Sequence, residues 1–178
     1  RGEPTPATLL LVGSTAYVES AQACGVALTG RERAEEASTR GVGELVLAAV
    51  AAGASTVVVG LGGSGTTDGG AGFLAALGAT ADAPLDGGPA GLANLTRLDL
   101  EPARAAIGGV ALVAAADVDS PLTGLFGVAK TFGAQKGIAE ERLPLVDAVL
   151  ERYAAAIDRT IALQPGAGAA GGLGFGLL

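Results

Sequence analysis

The sequence predicts an α/β domain built on a mostly parallel sheet, and three observations carry that expectation. Two short apolar runs, Thr56 to Leu61 and Val110 to Ala116, lack polar alternation and read as strands buried on both faces. Segments with apolar residues at helical spacing alternate with them. An unusual loop follows each run, at the carboxyl ends of strands where such sheets hold their ligands.

The elements follow in order. Residues 8–20 read as two short strands joined by a Gly13-Ser14 hairpin turn. Residues 42–52 place Val42, Leu45, Val46, Ala49 and Val50 on one helical face, with Ser38 or Thr39 as the cap and Gly53 as the stop. After the Thr56–Leu61 strand and its loop, a short helix through Phe73, Leu74 and Leu77 ends at Gly78. Residues 79–96 hold Pro84, Gly87, Gly88, Pro89 and Gly91 and read as an excursion from the sheet. The second buried strand stops at Asp117. One long helix is expected from about Arg142 to Leu163, striped by Val146, Val149, Leu150, Tyr153, Ile157 and Ile161, with Pro144 in its first turn.

Composition removes several function classes. The 178 residues suit a single domain with a genuine core, made from Ala, Val, Leu, Ile and glycine because only 3% of residues are aromatic. Without histidine the chain has no Ser-His-Asp triad, no His-based zinc site and no imidazole base. A lone Cys24 rules out a disulfide framework and Cys-rich metal sites. The balance of 11 basic and 18 acidic groups, 11 − 18 = −7, argues against nucleic acid or an anionic membrane as partner. The apolar runs are too short and too interrupted to span a bilayer, and the Arg-Gly-Glu-Pro start is no signal peptide. A soluble, cytoplasmic domain is expected.

The first loop, Gly60 to Gly70, sets six glycines among Ser64, Thr66, Thr67 and Asp68. Glycines let backbone N–H groups close on an anion, and hydroxyls and a carboxylate add donors and a metal or proton ligand. A tight strand-to-helix turn would use the same glycines for packing alone. Residues 60, 62 and 65 also fit Gly-x-Gly-x-x-Gly, but a dinucleotide fold then needs a strand ending in an acidic residue near Asp82 or Asp86, and Thr80 to Gly88 has no β-branched run. In the second loop Asp117 and Asp119 stand two residues apart beyond a strand, which aims both carboxylates one way and suits a divalent cation or a general base. The chain has only two lysines, Lys130 and Lys136. Lys136, in the shaped segment Gly133-Ala134-Gln135-Lys136-Gly137, is the better candidate for a phosphate clamp. Glu19, at the end of the second hairpin strand, and Arg40, before the first long helix, are further candidate ligand contacts beside their bland roles.

Taken together, these motifs resemble the bacterial class I glycerate kinase family. Gly62-Gly63-Ser64-Gly65-Thr66-Thr67-Asp68-Gly69-Gly70-Ala71-Gly72, Asp117-Val118-Asp119-Ser120-Pro121-Leu122, Phe132-Gly133-Ala134-Gln135-Lys136-Gly137 and Pro165 to Gly174 occur in the family's order, with Thr39 to Leu45 as a fifth, weaker match. Thr67 and Ser120 stand where the family commonly has Asn, Ala134 where it has Pro, and Cys24 where it has Ser. The family's opening and closing segments are not found here. The resemblance implies a flavodoxin-like doubly wound domain, the central domain of a two-domain kinase. It implies ATP-dependent phosphorylation of D-glycerate, giving 2-phosphoglycerate, with Mg²⁺. On that basis Gly62, Gly63, Ser64, Gly65, Thr66 and Thr67 are expected to hold phosphate, with Glu19 and Arg40 as further contacts. Asp68, Asp117 and Asp119 are expected to act as base or metal ligand, the last two holding the metal, and Lys136 to offset anionic charge. A nucleotide- or dinucleotide-binding domain without catalysis, or an inactive relative of the kinase, are the competing readings.

Overall fold

The structure is a computed structural model that describes residues 2–178; Arg1, the first residue of the Arg-Gly-Glu-Pro start, lies outside the described residues. Its main sheet has four strands in the order β1 (Leu9–Val12), β2 (Thr15–Glu19), β3 (Thr56–Gly60) and β6 (Ala111–Ala115). β1 and β2 form the expected antiparallel hairpin, and β2, β3 and β6 run parallel. Two strands between them, β4 (Thr80–Ala81) and β5 (Leu98–Asp99), pair only with each other, so residues 79–96 do leave the main sheet.

Two short helices, α1 (Ala21–Cys24) and α2 (Val26–Thr29), lead from the hairpin toward α3 (Arg40–Ala51). α3 buries Val42, Val46 and Ala49 as its spacing predicts. It crosses α4 (Ala71–Ala76) at Gly43, where a Cβ would stand 2.6 Å from both the Ala76 Cβ and the Phe73 carbonyl oxygen. Only glycine permits that crossing. The excursion carries α5 (Gly88–Gly91), and α6 (Glu101–Ile107) returns the chain to β6. Asp82 anchors the excursion by accepting the Thr96 and Arg97 N–H groups, each at 3.0 Å.

α7 (Val128–Phe132) and α8 (Leu143–Ile157) pack beside one another. The helix expected to run to Leu163 is broken. Asp158 takes an extended conformation (φ −160°, ψ 115°) and its carboxylate accepts the Thr160 N–H at 2.6 Å, capping a separate α9 (Arg159–Ala162). A capping aspartate inside an apolar period ends one helix and starts another. The chain finishes in α10 (Ala169–Leu177), whose residues 170–172 have positive φ.

The two faces of the sheet differ. Ala16, Val18, Val57 and Val59 are buried against the helices. On the other face the register Leu10–Tyr17–Val58–Val113 carries an apolar row across all four strands, and Leu10, Tyr17 and Val113 are exposed. β6 is therefore not a strand buried on both faces. It is the outer strand of the four, and four of its five residues are exposed.

Candidate functional site

β2, β3 and β6 end in one row, Glu19–Gly60–Ala115. Just beyond it lies a cleft of about 540 Å³, floored by Gly60 to Gly63 and flanked by Glu19 on one side and Asp117 on the other. The position is the one expected for a ligand in a parallel sheet. Glu19 and Asp117 are exposed, as is Asp119 two residues on. No group of three His, Cys, Asp or Glu side chains able to hold a metal occurs among the described residues. Two exposed carboxylates nonetheless match the chemistry of Mg²⁺, which is commonly held by one or two carboxylates with substrate phosphate oxygens and water completing its shell.

The glycine-rich loop divides within itself. Gly62 and Gly63 are exposed and Ser64 is half-buried, whereas every residue from Gly65 to Gly70 is buried. A Cβ on Gly62 would meet nothing within 4 Å. The first half thus lies open to a ligand, and the second is part of the core.

Asp68 shows what the second half does. Its side chain has no exposure, and its oxygens accept the Thr39 N–H and hydroxyl, both at 2.8 Å, and the Gly70 and Gly72 N–H groups, both at 3.2 Å. Burial pushes its carboxyl above the usual range against the pull of these donors. The Thr39 hydroxyl in turn accepts the Phe73 N–H at 2.9 Å. Asp68 is the knot that ties the start of α3 to the start of α4, and Thr39 faces this knot rather than capping its own helix. As folded, Asp68 presents no free oxygen to a metal or a substrate proton.

The closing glycine segment packs on the same half. Gly69 donates its N–H to the Gly171 carbonyl at 3.0 Å, and the Thr66 hydroxyl donates to the Ala170 carbonyl at 3.4 Å. Gly171 has φ +74°, and a Cβ there would stand 1.8 Å from the Thr66 carbonyl oxygen. Gly168 donates its N–H to the Ser120 carbonyl at 2.8 Å, which brings in the Asp117–Leu122 motif. Beneath Gly69 lies the buried Tyr153 ring, in edge contact with Phe175 at 5.8 Å. Thr67 and Ser120, the two places where the family commonly has Asn, both carry a buried hydroxyl without a hydrogen-bond partner among the described residues. The cavity side of the loop receives nothing from Gly65, Thr66 or Thr67, whose expected phosphate contacts would need the loop to open.

Lys136 reaches the loop from below. It sits in the turn after α7, only 6% exposed, and donates from Nζ to Ser64 Oγ at 3.0 Å and to the Thr66 carbonyl oxygen at 2.7 Å. Burial lowers its ammonium to about 8. The buried Cys24 thiol close to it is pushed up to about 12 by burial and by the Asp68 charge. Lys136 is thus held inside the loop, not extended into the cleft as a clamp. Lys130 is structural, its ammonium 2.5 Å from the buried Asp147 carboxylate. Arg40 is drawn to Glu44 (3.2 Å) and Asp86 (3.3 Å) on the surface.

All five motifs therefore meet around one loop, with Glu19, Gly62, Gly63 and Asp117 at the cleft, Ser64 next to its floor, and Asp68, Thr66, Thr67 and Lys136 behind it. The Thr39 hydroxyl and the backbone of Ala115 and Ala116 belong to the assembly too. Ala115 pairs with Gly60 by strand register, which no residue pattern signals. The dinucleotide reading loses its acidic partner, since Asp82 lies beyond a strand of the separate two-stranded sheet and is occupied by Thr96 and Arg97.

Comparison with known proteins agrees with this convergence. A sequence model described as the glycerate kinase family matches residues 1–178. A glycerate kinase of Bacillus subtilis (strain 168) is 38% identical over 189 residues, covering 99% of this chain and 50% of the relative. The glycerate 2-kinase of Escherichia coli (strain K12) is 38% identical over 176 residues, covering 93% and 46%. A crystal structure from Salmonella typhimurium LT2, assigned as glycerate kinase 2, superposes with a TM-score of 0.87 at 35% identity, covering 96% of this chain and 49% of that one. The chain spans about half the length of these relatives. With its motifs in order, its fold matched and its whole length recognised, the chain belongs to the glycerate kinase family.

Proposed function

We propose that the full-length protein transfers the terminal phosphoryl group of ATP to a hydroxyl of D-glycerate, giving 2-phosphoglycerate, and that this chain supplies the phosphate-binding side of the cleft. The observation that carries the reading is the open floor Gly62–Gly63, set between the carboxylates of Glu19 and Asp117 at the ends of the parallel strands. Phosphoryl transfer asks a protein chiefly for positioning and for neutralisation of charge. The backbone of the exposed Gly62 and Gly63, with the neighbouring Ser64 hydroxyl, serves the first need. Asp119 fits a carboxylate ligand of Mg²⁺, which when bound supplies charge for the second and leaves Asp117 free.

In the reaction a glycerate hydroxyl oxygen attacks the terminal phosphorus. The new O–P bond forms as the bridging P–O bond to ADP breaks, and ADP leaves with that bond's electrons. The hydroxyl proton passes to a carboxylate at the rim, and Asp117, which lines the cleft, is the one we assign. Asp68 does not take this role, because its oxygens are already engaged. On this reading the remaining wall of the cleft and the rest of the glycerate contacts come from outside this chain, which spans about half the length of its relatives.

The test is ADP release from ATP and D-glycerate by the full-length protein, with Mg²⁺. Asp117→Asn is expected to lower kcat by about 10²-fold or more, as loss of a general base or metal ligand does. Its stability should stay within about 0.5 kcal/mol of wild type, since the side chain is exposed. Turnover near wild type in the variant would remove Asp117 from the chemistry.

A further inference from the structure

We propose that Lys136 is a positioning residue that fixes the Ser64 hydroxyl as a hydrogen-bond donor toward a phosphate oxygen in the cleft. The proposal deepens the kinase reading and rests on it only in taking phosphate as the anion.

An ammonium group has three donors and no acceptor. At the 3.0 Å contact between Lys136 Nζ and Ser64 Oγ the serine oxygen must therefore accept. Its own hydrogen then points away from Lys136. Ser64 does not itself line the cleft, but it is half-buried and directly follows Gly63, which does, and on this proposal that hydrogen faces an anion bound beside Gly63. The second bond, to the Thr66 carbonyl at 2.7 Å, fixes Nζ at the boundary between the open and buried halves of the loop. A cation committed in this way does not touch the phosphate. It sets which way a neighbouring hydroxyl faces.

The charged groups around Lys136 leave this arrangement sensitive to its protonation. The Cys24 thiol is pushed up to about 12 and is neutral near pH 8, and the Asp68 carboxylate is enclosed by its own four donors. Burial holds the ammonium of Lys136 down at about 8. The ammonium is present below that pH and gives way to the amine above it. The neutral amine has a lone pair, so Ser64 can turn inward and donate to it, and the cleft loses a donor. Anion binding should accordingly weaken as pH rises through about 8.

The experiment measures binding of tripolyphosphate with Mg²⁺ to the full-length protein by calorimetry, between pH 7 and pH 9.5. It compares wild type with Ser64→Ala, Lys136→Met and the double variant. Wild type should lose about tenfold or more in affinity across that range, the scale of one hydrogen bond to a charged group. Ser64→Ala should bind about as weakly as wild type at high pH and show a flat profile. The double variant should be no weaker than Lys136→Met alone. A merely structural lysine would lower affinity without flattening the profile of Ser64→Ala. A Ser64→Ala variant that keeps the wild-type pH dependence overturns the proposal, and this arm stands even if Lys136→Met does not fold. Tripolyphosphate binding with the expected pattern, but no ADP release from ATP and D-glycerate, would end the kinase reading and leave the role of Lys136 intact. A wild type that does not bind tripolyphosphate overturns both.

Discussion

Within eleven residues, Gly60 to Gly70, one loop does two different jobs, and the split falls at Ser64. Gly62 and Gly63 are exposed, with nothing within 4 Å of a Cβ at Gly62 and only the Ala21 Cβ, at 3.5 Å, near one at Gly63, while Gly65 to Gly70 are enclosed by α2, the Asp68 knot and the 166–172 segment. The open half has glycine so that a ligand can come near. The closed half has glycine so that the protein's own backbone can. The difference shows that a glycine-rich loop at a sheet's edge is not a uniform cradle. Its binding surface is only as long as the stretch that no other segment covers, and the covered stretch holds that surface rigid.

The sharpest way to break this comparison is at Asp68. If the closed half is structural, Asp68→Ala strands the Thr39 N–H and hydroxyl and the Gly70 and Gly72 N–H groups in a dry interior. Each buried donor left without a partner costs about 1–3 kcal/mol, though the losses overlap, and a total of about 4 kcal/mol is expected. Denaturant unfolding of the full-length protein should show it. A variant that unfolds like wild type yet turns over about 10²-fold more slowly would return Asp68 to the chemistry and dissolve the distinction between the halves.

Gly171→Ala probes the same half from the opposite side. Its Cβ would stand 1.8 Å from the Thr66 carbonyl oxygen, with backbone on both sides of the clash and φ at +74°. Left-handed strain and forced separation of two packed segments together are expected to destabilise by about 3 kcal/mol. The same substitution should also weaken phosphate binding, because Thr66 is the second anchor of Lys136. A variant of wild-type stability would mean that the 166–172 segment is not packed on the loop in solution.

Much of this was legible in the sequence, and the failures share a cause. The hairpin at Gly13-Ser14, the apolar face of α3 and the strand β3 follow from local patterns, and local patterns survive folding. β6 departs from its expected burial because Ala, Leu and Val look the same in an outer strand as in a central one. Whether a neighbour covers Val113 depends on topology, not on residue type. The helix break at Asp158 was hidden inside a continuing apolar period. In the candidate site, the motifs themselves stood out, but their direction did not. Nothing in the residue order of Gly65-Thr66-Thr67-Asp68 says that these side chains turn inward. That depends on Thr39 and on the 166–172 segment, which lie about thirty residues before and a hundred after. The segment around Lys136 marks it out from Lys130, yet its burial beneath Ser64 differs from the direct phosphate contact its charge suggests.

The mildest substitution sharpens the comparison most finely. Gly62→Ala adds one methyl group where nothing lies within 4 Å and where the backbone is not left-handed. Folding should be unchanged to within about 0.5 kcal/mol, in contrast to Gly171→Ala. The methyl group does stand on the floor of the cleft, where backbone N–H groups must come within hydrogen-bonding distance of an oxygen. Tripolyphosphate affinity is therefore expected to fall about tenfold at unchanged stability, measured by calorimetry beside a thermal unfolding control. If affinity and stability were both untouched, the anion would have to lie elsewhere along the row Glu19–Gly60–Ala115, and the open half would be only a turn.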